Sequence, residues 1–468
     1  MQGGRDVLDP VQHGDIREDF EVISGLVNRP VTTADELTEH LREIYTAVFS
    51  VDLGRYDPVV VRGQAAQLLP LIFDLRMSMR DHVADWHRRG FMNAAAQKAL
   101  RDVFRVARYG SDMLGELLIG YDRADEHGVS RRGFTGQDYN TFVPLRMAVT
   151  AASSLPFRTG DVLLMRGLLH NSAAIARIGD TDSQFSHVGM IYIDAQDRHW
   201  VVEALIEDGS VISRLEDVLD HHLGRAILFR HPDPQIAAAA AQFIHTLVAR
   251  SHAPGGKWIP YDFSMRLKRY RQLFCSKLVR YAFLKGSKGK VVLPTFSTRL
   301  DIINRDFFQR IGVKTRHTFA PGDLEIEPQL EVVAEWADYR VTSRLRLQDM
   351  MMSKFFEWME KYDYTFRETF PIRLISWFGR LASHLSDESK AHMASVVPKI
   401  PVNMNRRTIA TIVMLHKTAE EVYHRLERLE RDSIERTGRP LHPREVFEAL
   451  EAIRHEANGH IGYLHASR

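Results

Sequence analysis

The stretch Phe274-Cys275-Ser276-Lys277-Leu278-Val279 contains the only cysteine among 468 residues. Apolar residues recur after it at helical spacing, so Cys275 is predicted to open a helix directly after a polar, basic loop. A thiolate is the reactive form of cysteine, and the partial positive charge at a helix N-terminus favours it. Position alone leaves one alternative open, which is a buried and inert cysteine.

The overall composition argues against several classes of function. Lys and Arg number 62 against 60 for Asp and Glu, and so balanced a charge gives no reason to expect nucleic acid as a partner. A single cysteine excludes an intramolecular disulfide and a multi-cysteine zinc site, and we expect neither a metal nor a cofactor. The N-terminal residues lack the apolar core of a signal peptide, and no apolar run is long enough to span a bilayer. The expected location is therefore the cytoplasm.

The hydropathy pattern divides the chain into four parts. They are a loose N-terminus over 1–19, a helical domain over 20–150, a mixed domain over 151–330 and a C-terminal helical region over 331–468. In the mixed domain, short apolar runs predict strands at 162–165, 188–193, 200–206, 210–213 and 226–229. Helices are predicted from Pro234 and from Cys275, and a polar linker over 123–156. Strands combined with helices in this way predict an α+β unit.

Two features of the C-terminal region leave alternatives open. One is a coiled-coil-like seam that packs on the N-terminal helices or forms a homodimer, and it comprises Ile412, Leu415, Ala419, Val422, Leu426 and Leu429. The other is a stripe with basic and aromatic residues around 373–380, comprising Leu374, Trp377, Phe378, Leu381 and Leu385. This stripe either makes peripheral contact with a membrane surface or packs in the core.

The best candidate for a base beside the cysteine is His187, which begins a predicted strand. A turn at 194–197 sets His187 roughly opposite Ala204 on the next strand, beside Glu203. A register shift of one residue would put Glu203 directly across from His187. A carboxylate there would fix the imidazole tautomer and stabilise the imidazolium. The charge of Glu203 on an otherwise apolar strand also needs a partner.

Five short motifs occur in a fixed order. They are Gly160-Asp161-Val162-Leu163, Ser186-His187-Val188-Gly189, Val202-Glu203-Ala204, Pro260-Tyr261-Asp262-Phe263 and Phe274-Cys275-Ser276-Lys277-Leu278-Val279. This set resembles the YiiX/YebB-like group of circularly permuted NlpC-type cysteine hydrolases, over about 155–300. The resemblance implies a permuted papain-like domain with a small antiparallel sheet, flanked by N- and C-terminal α-helical regions. Lys277 departs from the pattern, because a Glu commonly follows Cys-Ser in this group.

The resemblance also implies an activity, that of a thiol-dependent amidase, peptidase or esterase with an acyl-thioester intermediate. Cys275 would be the nucleophile, His187 the base and Glu203 the orienting acid. Tyr261 is a candidate oxyanion donor, and Arg271 and Lys277 are candidates for binding an anionic substrate. The expected substrate is a small amide or ester, including a lipid-derived one. Two alternatives stay open, which are an acyltransferase of the lecithin–retinol acyltransferase type and a non-enzymatic scaffold with a degenerate hydrolase domain.

Overall fold

The computed structural model describes residues 15–120, 140–144, 157–220, 223–300, 305–382 and 400–467. The helices are α1 Ile16–Val27, α2 Ala34–Ser50, α3 Pro58–Arg88, α4 Ala94–Ile119, α5 His170–Ala176, α6 Leu215–Asp220, α7 Pro234–His252, α8 Cys275–Gly286, α9 Arg305–Ile311, α10 Thr342–Lys361, α11 Phe370–Ala382, α12 Arg406–Thr437 and α13 Pro443–Glu456. The strands are β1 Thr141–Phe142, β2 Val162–Gly167, β3 His187–Ile193, β4 His199–Leu205, β5 Gly209–Arg214, β6 Leu223–Arg230, β7 Thr298–Arg299, β8 His317–Thr318, β9 Glu331–Ala337, β10 Tyr364–Phe366, β11 His460–Ile461 and β12 Leu464–Ala466.

The helices α1 to α4 occupy the N-terminal part of the described chain. Polar side chains accept an amide hydrogen bond at the start of each, as Asp15 does for α1 and Asn93 for α4. Helix α1 begins at Ile16, so the last four residues of the segment 1–19, predicted to be loose, are helical, and Ile16 and Asp19 among them are buried. Residues 1–14 lie outside the described chain, as does most of the predicted linker 123–156.

Within the described residues, the main sheet has seven strands in the order β1-β9-β6-β2-β3-β4-β5. Every neighbouring pair is antiparallel. The predicted α+β class is confirmed, and each of the five predicted strands is present. Strands β1 and β9 lie outside the range 151–330, so the sheet reaches beyond the bounds predicted for the mixed domain. The short helices α5, α6 and α9 were not predicted, because a few residues carry too little periodicity.

Helices α7 and α8 pack together, and α8 also contacts β3 and β4. Their shared core is apolar and includes Val188, Ile244, Leu278 and Val279, all fully buried. This packing orients the start of α8, where Cys275 lies, toward the start of β3.

Most side chains of the seam on α12 pack inside the chain. Leu415, Ala419, Val422 and Leu426 are buried in one core with α10 and α13. Leu429, the last member of the seam, is 42% exposed. A homodimer through the C-terminal helices stays a prediction. No helix in the described part of the chain is both long and apolar enough to cross a membrane.

Buried ion pairs join the N-terminal helices to the sheet. Arg76 on α3 and Arg108 on α4 both contact Glu335 on β9, at 2.7 and 3.2 Å. Arg101 pairs with Asp323 at 2.8 Å in the same interface. Each of these side chains is at most 6% exposed. The helices and the sheet therefore share a desolvated, charge-matched interface.

Candidate active site

Helix α8 begins at Cys275, and the thiol is buried with only 4% of the residue exposed. The preceding residue, Phe274, has no side-chain oxygen that could cap the helix, so the first amides are left for other acceptors. Backbone hydrogen bonds hold the chain before the helix in place, from Asp262 to Leu273 and from Leu273 to Pro260, each at 3.1 Å. The sulfur therefore has a fixed position at a helix N-terminus.

The strands around His187 separate where the sulfur approaches. Strand β2 pairs with β3 as far as His187, which lies opposite Met165. Strand β4 pairs with β3 only from Met190 onward. In the gap, the backbone N–H of Val188 donates to the Cys275 sulfur. The end of one strand pair thus provides both an amide donor and an imidazole beside the thiol.

The polar side chains form a hydrogen-bonded series that begins at the sulfur. Cys275 and His187 are hydrogen-bonded to each other. His187 Nε2 lies 2.7 Å from Glu203 Oε2, which leaves the other ring nitrogen for the sulfur. Ser213 Oγ donates to Glu203 Oε1 at 2.6 Å. The structure thus brings Cys275, His187 and Glu203 together.

The register between β3 and β4 differs from the prediction. Continuing the observed pairs places His187 opposite Leu205, one residue beyond the predicted Ala204, and Gly189 opposite Glu203. The reason is a five-residue turn over 194–198, in which the Asp194 amide donates to the Arg198 carbonyl at 3.1 Å and the Asp197 amide donates to the Asp194 carbonyl at 3.0 Å. His187 reaches Glu203 diagonally, past a residue without a side chain. A Cβ on Gly189 would lie 2.4 Å from Val201 Cγ1, so this position requires glycine.

The three side chains change one another's ionisation. Burial disfavours the charged imidazole, but hydrogen bonds and charges from Cys275 and Glu203 outweigh it and raise the pKa of His187 to about 10. Burial likewise disfavours the thiolate, but the hydrogen bond and charge of His187 outweigh it and lower the pKa of Cys275. The pKa of Glu203 is also lowered, since its bond to His187 outweighs its burial. The arrangement favours a thiolate–imidazolium pair.

Tyr261 is buried in the same core as Cys275. Burial raises the pKa of the Tyr261 hydroxyl well above its usual value, and the negative charge at Cys275 raises it further. The hydroxyl therefore stays protonated and able to donate. Asn403 Nδ2 donates to the Tyr261 carbonyl at 2.7 Å, so a residue of the C-terminal region holds this loop.

The prediction that Lys277 binds substrate is corrected. Its side chain is fully buried, and Nζ donates to Asp262 Oδ2 at 2.6 Å and to the Arg269 carbonyl at 3.0 Å. These contacts compensate its charge and tie the basic loop to α8, so Lys277 has a structural role. Arg271 is exposed on that loop, and its part in substrate binding stays a prediction.

Sequence reasoning missed Ser213 and Asn403. Ser213 lies on a strand that was predicted, and its diagonal position to Glu203 follows from the pairing of β4 with β5. A predicted register for the β4–β5 hairpin would have placed Ser213 next to Glu203. Asn403 lies 128 residues beyond Cys275 in sequence, in a segment without a motif, and no local pattern indicates its contact with Tyr261.

Comparison with known proteins finds a family for the central part of the chain. Residues 156–334 match the family described as permuted papain-like amidase enzyme, YaeF/YiiX, C92 family. No curated protein matches the chain. The matched range includes β2 to β6, α7 and α8, with helical regions on both sides. The family supports a cysteine hydrolase or amidase function, and the central part of this chain is a permuted papain-like domain of the YaeF/YiiX amidase family.

Proposed function

We propose that the protein is a thiol-dependent hydrolase that cleaves an amide or ester through an acyl-thioester on Cys275. The observation that carries this proposal is the hydrogen-bonded series from Cys275 through His187 to Glu203. Each member has the environment its role requires: a thiol at a helix N-terminus, an imidazole within reach, and a buried carboxylate behind it.

In the acylation step, the Cys275 thiolate attacks the substrate carbonyl carbon and forms a carbon–sulfur bond. The carbonyl oxygen becomes an oxyanion, for which the Cys275 backbone N–H and the Tyr261 hydroxyl are the donors in this proposal. As the tetrahedral intermediate collapses, the bond to the leaving amine or alcohol breaks. The His187 imidazolium gives its proton to that leaving group.

In the deacylation step, neutral His187 takes a proton from water, and the oxygen attacks the thioester carbonyl. The carbon–sulfur bond breaks and releases the carboxylic acid. Cys275 leaves as a thiolate beside the newly formed imidazolium, so the starting state is restored. Glu203 holds the imidazole and stabilises its charged form in both steps.

The surroundings of Tyr261 favour a lipid-derived acyl group. Tyr261 and Phe263 line an apolar pocket together with Ile412 and Leu415 of α12. Further lining residues are Asn171, Ala174, Ile175, Ile178, Ile206, Met265, Phe307, Ile311 and Thr408. An apolar pocket next to the proposed oxyanion donor fits a hydrocarbon chain better than a polar peptide. The substrate class we propose is therefore an acyl ester or acyl amide.

The contacts also bear on the scaffold alternative. A degenerate domain would have no reason to retain a hydrogen-bonded thiol, imidazole and carboxylate with a serine behind them. Buried polar groups of this kind are costly unless they are fully paired. The pairing seen here supports an enzyme over a scaffold.

The test is intact-protein mass spectrometry after mixing the full chain with a decanoyl ester of a good leaving group. We expect a transient mass increase of one decanoyl group on the wild type and free decanoate as the product. Since the chain has one cysteine, Cys275→Ala removes every thiol and is expected to remove both the adduct and turnover. Turnover that persists in Cys275→Ala would refute the proposal.

The same assay separates hydrolysis from acyl transfer. Adding a competing amine or alcohol diverts the decanoyl group to that acceptor if the thioester is open to nucleophiles other than water. Circular dichroism of Cys275→Ala is the control for folding. A folded wild type with no adduct from esters or amides of any chain length would favour the scaffold.

A further inference from the structure

We propose that helix α11 docks on the surface of an anionic phospholipid bilayer. The helix spans Phe370–Ala382 and carries five large apolar side chains that are 44 to 77% exposed, namely Phe370, Leu374, Ile375, Trp377 and Phe378. The sequence left two alternatives for this stripe, and these exposures exclude core packing for its described side chains. Leu385, the last member of the predicted stripe, lies outside the described residues.

The exposed apolar residues form one continuous face. At roughly 100° per residue, Trp377, Phe370, Leu374, Phe378 and Ile375 fall within an arc of about 160°. On the opposite side, Ile372 and Ser376 are fully buried, and α11 packs there against α12. The helix is thus fixed to the protein along one side and presents a bulky apolar side outward, as helices that lie in a membrane interface do.

Charge favours an anionic surface as the occupant of this face. Arg373 and Arg380 lie at the border between the apolar and the buried faces, and 370–382 contains no acidic residue. The side chain of Arg373 is 68% exposed. The nearest acidic residue in sequence, Glu368, accepts a hydrogen bond from Arg406 at 2.9 Å and makes a longer ion pair of 4.0 Å with Arg373. Aromatic side chains beside arginines match the boundary between acyl chains and anionic headgroups.

The helix is connected to the candidate active site. Arg380 donates to the carbonyl of Val402, which is itself 42% exposed. The next residue, Asn403, donates to the Tyr261 carbonyl at 2.7 Å. The apolar pocket that Tyr261 lines is completed by Ile412 and Leu415 on α12, the helix against which α11 packs. A bilayer under α11 would thus lie beside the pocket that takes the acyl chain.

The test is co-flotation of the full chain with vesicles of phosphatidylcholine, either pure or with one third phosphatidylglycerol. We expect binding to the anionic vesicles that weakens as salt screens the arginines. Trp377→Ala combined with Phe378→Ala should reduce the bound fraction by at least about tenfold, because two exposed aromatic anchors are lost. Arg373→Gln should weaken binding to anionic vesicles alone. Cys275→Ala should bind as the wild type does, so this test is independent of the hydrolase chemistry.

The matched control is Val59→Ala combined with Val60→Ala, at two exposed apolar positions on α3 that are 78 and 51% exposed. It should leave flotation unchanged, and circular dichroism checks that each variant is folded. Failure of the wild type to float, or equal flotation of the Trp377/Phe378 variant, overturns the proposal. A wild-type dimer in light scattering that the same variant converts to a monomer also overturns it, since a second copy then covers the face.

Discussion

His187 Nε2 lies 2.7 Å from Glu203 Oε2 although the two residues are not opposite each other on the paired strands. The contact is diagonal and passes over Gly189, where any side chain would clash with Val201. The other carboxylate oxygen, Glu203 Oε1, accepts a hydrogen bond from Ser213 Oγ at 2.6 Å. The imidazole is therefore oriented from behind while its remaining ring nitrogen faces the thiol, which gives an expectation for two single variants.

Glu203→Gln should lower kcat/KM on the order of 10²-fold, because a neutral amide cannot stabilise the imidazolium. Ser213→Ala should lower it by about tenfold, since it removes one hydrogen bond to a charged acceptor, ~1.5 kcal/mol. Steady-state hydrolysis of the decanoyl ester measures both. Equal activity of Glu203→Gln and the wild type would show that the carboxylate does not orient the base.

The ionisation of the thiol and imidazole predicts the pH dependence. Since His187 lowers the pKa of Cys275, alkylation by iodoacetamide should stay fast well below the ordinary thiol pKa. The pKa of His187 is about 10, so kcat/KM should fall as pH rises through about 10 and the imidazolium loses its proton. Alkylation rates and kcat/KM from about pH 5 to about pH 11 test this expectation. In His187→Asn, the pH midpoint of alkylation should rise to that of an ordinary thiol, because the imidazolium no longer stabilises the thiolate. An unchanged midpoint would contradict the pairing of Cys275 with His187.

The buried ion pairs predict where stability is concentrated. Glu335→Gln removes the carboxylate shared by Arg76 and Arg108. Arg108 keeps its ion pair with Glu325 at 2.9 Å, but the buried charge of Arg76 loses its paired carboxylate, so unfolding should become easier by about 3–5 kcal/mol. The matched control is Glu43→Gln, whose ion pair with Arg29 is about half exposed and should contribute less than about 1 kcal/mol. Urea unfolding measures both. Similar losses for the two variants would contradict the role of burial.

The same carboxylate has a defined pH window. Burial opposes its ionisation, but Arg108 and Arg76 outweigh burial and hold the pKa of Glu335 at about 2, below its usual 4.5. Because the folded pKa is depressed, its stabilising contribution is complete above pH 4.5 and is lost as pH falls through about 2. The difference in unfolding free energy between wild type and Glu335→Gln should therefore shrink across that interval.

The apolar pocket predicts a chain-length preference. For the wild type, kcat/KM should rise by about fourfold per methylene of the acyl chain while the chain still enters the pocket, at ~0.8 kcal/mol each. Ile412→Trp, a half-buried lining position on α12, should fill the pocket and flatten this dependence while acetyl ester hydrolysis is unchanged. Rates across a series from acetyl to decanoyl provide the comparison. A steep dependence that persists in Ile412→Trp would place the acyl chain elsewhere.

Much of the fold follows from local sequence. Alternating or continuous apolar runs predicted the five strands β2 to β6 because strand periodicity depends only on adjacent residues. The starts of α7 and α8 were predicted from an Asp-Pro cap and from helical spacing after Cys275. The order of the short motifs indicated the permuted papain-like domain. Residue types along the chain therefore determined the elements and the candidate nucleophile.

Only the tertiary structure decided how these residues meet. The register at Gly189 depends on how the Asp194–Arg198 turn closes, and the burial of Lys277 depends on an aspartate supplied by the preceding loop. The contact of Asn403 with Tyr261 and the outward face of α11 depend on where α12 packs. Local patterns determine which residues have an apolar face or a reactive group, whereas long-range packing determines what that face or group contacts, because those partners are distant in sequence.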